Sequence, residues 1–299
     1  MIKCFNMARR QSLKSLGMLG AAGVITSSRP DSALAALPKE HATALAIVGD
    51  RYHNPDYIRT SLNKTLVRDN GLTIDYLWND EYFTEDLLSN YKMLIMFRDG
   101  MLHSGGYMFA YPDDLPSPGR DGTGILSTPP LTESLRSPSN PWMTREQGMF
   151  IKRWVNNGGS LWSFHNNSHC GSMNEDYRKV QGAAYAGHPR IRPYWVRIKN
   201  HDHPVTSGIE DFQVVDEQHY MTYDKDPKNI LAESSYEGDD PVWTDNNGGK
   251  STTAPAVWAY DYGKGRVCFM SPGHMVSVMW NPMYEKMQKN GLIWLLETV

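Results

Sequence analysis

The sequence predicts an α/β fold: an open, mostly parallel sheet with helices on both faces. Three observations carry this. Short, uniformly apolar runs of strand length recur at Ala44–Gly49, Met93–Phe97 and Ser160–Phe164. Segments with apolar residues at helical spacing lie between them. Glycine, asparagine or proline punctuates the joints, as in Asn157-Gly158-Gly159. A strand covered on both faces has no polar side, so an unbroken apolar run suits a parallel sheet better than alternation does.

In order, Ala44–Gly49 is the first strand and Pro55–Arg68 a helix with Tyr57, Ile58, Leu62 and Leu66 on one face. Leu72–Trp78 alternates as a second strand, Thr84–Asn90 is a short helix, and Met93–Phe97 is a third strand. The segment 99–142 breaks this rhythm with glycine and proline clusters, yet holds Tyr107, Met108, Phe109, Tyr111 and Trp142. Long aromatic-bearing loops tend to be lids or contacts rather than linkers, so this insertion is read as a lid or a homo-oligomer contact. Thr144 and Gln147 form a capping box for a helix with Phe150, Ile151, Trp154 and Val155 on one side, and Ser160–Phe164 follows as a buried strand. Beyond it the expected elements are a helical turn at Glu175–Val180, strands at Tyr194–Ile198 and Phe212–Val215, and a short apolar piece at Ile230–Ala232. Pro255–Ala259 and Val267–Met270 read as a strand pair, and a terminal helix is capped by Asn281 and Pro282.

The first 35 residues read as an export signal outside the fold. Arg9-Arg10-Gln11-Ser12-Leu13-Lys14 precedes a mild apolar run and Ala33-Leu34-Ala35, a twin-arginine-like start with a small-residue cleavage pattern. The run is too short and too rich in glycine and alanine for a stable membrane span. A single domain, 36–299, is then expected in the periplasm or outside the cell. The formal charge of −3 becomes −7 once residues 1–35 are removed, which disfavours a nucleic-acid partner. Cys170 and Cys268 remain, either paired or each free and buried.

There is no glycine-rich dinucleotide turn, no phosphate-binding loop and no serine nucleophile elbow, so no nucleotide cofactor is expected. The histidines carry the chemical signal. His53, His165 and His274 each follow a predicted strand, His188 and His203 precede prolines, and Asp216-Glu217 ends another strand. In an open parallel sheet, ligands bind beyond the carboxyl ends of strands. Imidazoles and a carboxylate converging there either hold a divalent metal (zinc, iron, manganese or nickel) or transfer protons. His41, His103, His169 and His201 are read as ordinary surface or capping residues.

The ordered set Gly158–His165, Gly187-His188-Pro189, His203–Ile209, Asp216–Tyr220, Tyr262–Val267 and Gly273-His274 resembles trehalose-utilisation (ThuA-like) proteins over about Ala44–Leu296. The resemblance implies a flavodoxin-like fold related to class I glutamine amidotransferases, and a role in catabolism of trehalose and related disaccharides through 3-keto-sugar intermediates. His165 stands where those amidotransferases keep their nucleophilic cysteine, so amidotransferase chemistry is not expected. Carried over by motif, His165, His188, Glu217 and His274 line the site. Catalytic work falls to His165 and Glu217, substrate contact to His53, Asp216 and His219, and metal ligation to His165, His188 and His274. The expected activity is that of a lyase, hydrolase or isomerase on a small carbohydrate. A non-catalytic carbohydrate-binding or protein-interaction module on the same fold is the alternative. Trp195, Trp243, Trp258 and Trp280 would stack on sugar or pack in the core.

Overall fold

The computed structural model describes residues 41–50, 52–77, 79–100, 141–238, 243–244 and 250–297. The export signal and most of the 99–142 insertion therefore lie outside the described residues. The described strands and helices fall within one compact unit, His41–Val299.

The parallel core is built by β1 (Ala44–Val48), β2 (Ile74–Leu77), β3 (Met93–Phe97) and β4 (Ser160–Phe164). Their order is β2-β1-β3-β4, the flavodoxin-like arrangement. β13 (Gly265–Met270) adds in parallel beside β4. An antiparallel extension follows through β12 (Thr253–Tyr262), β9 (Ile230–Ser235), β6 (Arg192–Ile198) and β7 (Phe212–Asp216), while β10 (Trp243–Thr244) and β11 (Lys250–Ser251) form a separate two-stranded pair. Pairing directions make only β12 and β6 run against the others, so the carboxyl ends of β1, β3, β4, β13 and β7 point to one edge. That is why residues far apart in sequence can meet there.

The helices form for local reasons. α1 (Pro55–Leu62) has Pro55 at its start and Asn54 accepting the Asp56 backbone N–H at 2.7 Å, and it continues as a π-helical segment, Asn63–Arg68. α2 (Glu85–Ser89) is capped by Thr84. α3 (Arg145–Asn156) has the expected capping box, with Thr144 Oγ1 accepting from Gln147 N at 3.2 Å and Gln147 Oε1 accepting from Thr144 N at 2.8 Å. After β4 come a 3-10 turn (His165–Asn167), α4 (Ser168–Met173) and α5 (Glu175–Gln181), where the sequence suggested a polar loop and one helical turn. α6 (Val276–Met279) and α7 (Pro282–Leu296) close the chain.

Two apolar cores flank the sheet. One packs Ala46, Phe97, Trp162 and Met270 under Ile58, Leu62, Tyr284 and Leu295 of α1 and α7. The other packs Ile47, Leu94, Leu161 and Phe269 under Phe150, Ile151, Tyr177 and Val180 of α3 and α5. Neighbouring strand residues alternate between the two, which is the strand period of two read through a sheet covered on both sides. Cys268 belongs to the first core and Cys170 to the second, and both are free thiols. The sheet between them settles the pairing question. Among the described residues no helix is long and apolar enough to cross a membrane.

The sequence reading missed a small antiparallel ribbon. β5 (Ala183–Gly187) pairs with β8 (Tyr220–Tyr223), setting Gly187 opposite Tyr220. His188 follows β5 and His219 precedes β8, so the ribbon places these two imidazoles side by side.

Candidate metal centre at the carboxyl edge

The centre is built where β1, β4, β7 and β13 end. The turn after β4 is sharp. His165 has φ +44°, the only positive value for a described residue other than glycine. A β-carbon strains such a conformation by roughly 1–3 kcal/mol, and it persists because the surroundings fix it. Asn167 helps fix it, donating to the Arg98 carbonyl at 2.8 Å and accepting from Tyr177 Oη at 2.5 Å. Gly273 passes so close that a β-carbon there would meet His165 Cβ at 2.8 Å and Phe97 at 3.0 Å. The His165 ring is fully buried, and its Nδ1 lies 2.9 Å from the Ser271 carbonyl. A ring nitrogen facing a carbonyl must carry its proton, so the Nε2 lone pair is left free.

His53 is oriented in the same way. Its Nδ1 donates to Asp50 Oδ1 at 2.8 Å, which leaves Nε2 as the free nitrogen. That nitrogen lies 3.1 Å from His274 Nδ1. Glu217 Oε2 sits among them, 3.2 Å from His274 Nδ1, 3.4 Å from His165 Nε2 and 3.4 Å from His219 Nε2. His188 Nε2 is 3.8 Å from the same oxygen. The ligand atoms of His53, His165, Glu217 and His274 all lie within 4.8 Å of one another, as do those of His188, Glu217 and His219.

The electrostatics follow from this crowding. Burial disfavours ionisation of Glu217, but the imidazoles of His165, His219 and His274 outweigh it and hold the carboxyl far below the usual carboxylate range. Burial pulls the His165 imidazole well down, with His219 adding to the effect and Glu217 opposing it. Burial likewise brings His219 down to about 4. Burial also lowers His274, but Glu217 and Asp216 reverse that and leave it raised. One carboxylate thus stands inside a ring of imidazoles, two of which, His165 and His219, are held neutral by burial.

The geometry corrects the reading of several residues. Asp216 was expected to touch substrate. It is fully buried, and it accepts the backbone N–H of Gly273 at 2.7 Å and of His274 at 3.1 Å. It therefore shapes the loop that carries His274, while burial pushes its own carboxyl up to about 7. His53, expected among the substrate contacts, joins the metal-type group with His165 and His274. His188, expected with those two, joins His219 instead. Trp258 is a core residue stacked on Phe269 with ring centres 4.0 Å apart. Trp280 packs against the first core with the Lys64 ammonium over its ring, and Trp195 carries the Arg197 guanidinium on its ring. The side chain of Trp243 lies outside the described residues. His203 caps the turn Pro204–Thr206.

A cleft of about 450 Å³ opens beside the centre, lined by Tyr52, His53, Asp99, Asn166, His169, Tyr185, His188, Glu217 and His219. Its aromatic walls are the two tyrosines, and His169, read from sequence as an ordinary surface residue, is part of it. Asp50 was also missed. It gave no signal beyond lying three residues before His53 in the loop after a strand.

The family model described as ThuA, trehalose utilisation, matches residues 134–295, over half of the chain and all of the site except its β1 and β3 loops. The chain belongs to the ThuA family. A ThuA-like protein of Parabacteroides merdae superposes with a TM-score of 0.57 at 15% identity, covering 86% of this chain and 91% of that one. One from Bacteroides uniformis gives 0.55 at 15% identity, covering 85% and 90%. A cytoplasmic protein of Salmonella typhimurium gives 0.50 at 13% identity, covering 84% and 99%. No curated protein matches the chain. At such identities the solved structures establish the flavodoxin-like fold of this ThuA protein and nothing finer.

Proposed function

We propose that this ThuA protein is an exported enzyme of disaccharide catabolism. It acts on a keto-sugar such as a 3-keto-glycoside, with a divalent transition metal held by His53, His165, His274 and Glu217. The observation that carries this reading is the spacing of donor atoms. Nitrogens and oxygens bound at about 2.0–2.2 Å to one ion lie roughly 3.0–3.5 Å from one another. The separations of 3.1, 3.2 and 3.4 Å among His53, His274, Glu217 and His165 fall in that range. His165 Nε2 is also buried without a hydrogen-bond partner, an arrangement that costs free energy unless something binds it. Imidazoles with a carboxylate suit zinc, iron, manganese or nickel.

When bound, the cation supplies a Lewis acid for a keto oxygen. The protein's own residues do the rest. Asp50 and the Ser271 carbonyl hold the ligand tautomers of His53 and His165. Tyr52, Tyr185 and Asp99 offer polar groups to sugar hydroxyls along the cleft. A keto group acidifies the neighbouring C–H, and His169 on the cleft wall takes that proton, opening elimination, hydration or isomerisation. The basic start and small-residue site of residues 1–35 support export. His165 and Glu217 thus serve as ligands rather than proton carriers.

The test is turnover of a 3-keto-glycoside by the purified protein. His165→Ala is expected to lose turnover with the fold intact. His169→Ala is expected to keep the cation and slow turnover by about 10²–10⁴-fold. Undiminished turnover in both variants would refute the assignment.

A further inference from the structure

The Glu217 carboxylate has more imidazole around it than one ion needs. We infer that the His188–His219 pair forms a second, open divalent-cation site that shares Glu217 with the first. This rests on the metal-dependent reading above and goes beyond it in number and placement of ions.

Three observations carry it. The second group is delivered by a separate element, because Gly187 and Tyr220 face each other in the β5–β8 ribbon and put His188 and His219 together. The two rings stack with centres 5.0 Å apart and planes 21° apart, so both present the same edge. That edge faces Glu217: His219 Nε2 is 3.4 Å and His188 Nε2 3.8 Å from Oε2. The tautomer of His188 is fixed too, since its Nδ1 donates to the Pro189 carbonyl at 2.8 Å and leaves Nε2 free. A cation bound there has three protein ligands and faces the cleft, the pattern of an open rather than a structural site. Two cations sharing that carboxylate would together supply Lewis acids to two oxygens of one substrate. An α-hydroxy ketone of a keto-sugar presents such a pair. The Asp50 side chain is buried behind His53 and Asp99 stands at the cleft, so carboxylates are available to offset the extra positive charge.

The experiment uses the full chain stripped of metal and titrated with manganese(II) alone, read by equilibrium dialysis and electron paramagnetic resonance. Two equivalents with a spin-coupled spectrum are expected in the parent. His188→Ala, at a partly exposed position, is expected to bind one equivalent with an uncoupled spectrum. His219→Ala should match it, with circular dichroism reporting the fold. One equivalent in the parent would overturn the second site and leave the first standing. No bound manganese would overturn both. Two coupled equivalents in His188→Ala would overturn the ligand assignment.

Discussion

The Asp50 carboxylate accepts the His53 imidazole N–H at 2.8 Å, and that bond aims the other His53 nitrogen at His274, 3.1 Å away. The same carboxylate accepts the backbone N–H of Tyr52 at 2.8 Å and of Asp99 at 2.9 Å, and the side-chain amide of Asn166. One buried acid therefore ties together the loops after β1, β3 and β4. Burial alone would raise its pKa, but His53 and these donors hold it below the usual range. With a cation on His53 this would be the carboxylate–histidine–metal arrangement, which fixes a ligand's tautomer and raises its basicity.

Asp50→Asn should keep the size of this acid and lose its charge. Cation affinity is expected to fall about 10–100-fold, as for other losses of a ligand's supporting carboxylate. Dialysis against cobalt(II) measures it, with thermal unfolding to register the lost charge-assisted hydrogen bonds. Unchanged affinity would remove Asp50 from the centre.

Cys170 should be dispensable for chemistry. Burial pushes its thiol well above the usual range, and its sulfur contacts the Asn167 side-chain amide and the Asp99 carbonyl. The sharp turn after β4 carries His165 in its place. Cys170→Ala is expected to retain turnover at a stability cost of about 1 kcal/mol. Iodoacetamide should leave the native protein active, whereas inactivation that tracks labelling of Cys170 would bring thiol chemistry back.

Acid should destabilise the metal-free protein. Unfolded histidines take up protons near 6.5, whereas burial holds His165 well below that and His219 at about 4. Between those values the unfolded state binds more protons, so this part of the stability is present above about 6.5 and is lost as pH falls towards 4. His274, raised by Glu217, and Asp216, pushed up to about 7 by burial, act in the opposite sense, whereas His203, lowered by burial, acts with His165 and His219, so three groups stand against two. The urea midpoint should drop between about pH 7.5 and about pH 5. Added cation should widen the difference, because protons and metal compete for the same nitrogens. A midpoint that rises towards acid would contradict the assigned burial.

The parts of this protein legible in its sequence are those fixed by local rules. Thr144 and Gln147 announce a helix start, and the apolar runs Met93–Phe97 and Ser160–Phe164 are strands end to end. Convergence of His53, His165, Glu217 and His274 was expected from strand ends sharing an edge, and their donor atoms do meet. The β5–β8 ribbon was not legible. Its first strand, Ala-Ala-Tyr-Ala-Gly, has neither alternation nor branched side chains, and its partner lies more than thirty residues away. Without the ribbon, His188 could only be grouped by motif, and His219 lacked a partner. The role of Asp216 was hidden for a similar reason, since what it binds is backbone from a loop 57 residues on.

Metal content of the purified full chain is the most direct measurement. Elemental analysis should find at least one equivalent of a transition metal in the parent protein, and Glu217→Gln should lose it while keeping its fold by circular dichroism. A parent that takes up no transition metal after reconstitution, or a Glu217→Gln variant that keeps full occupancy, would contradict a metal centre built around Glu217.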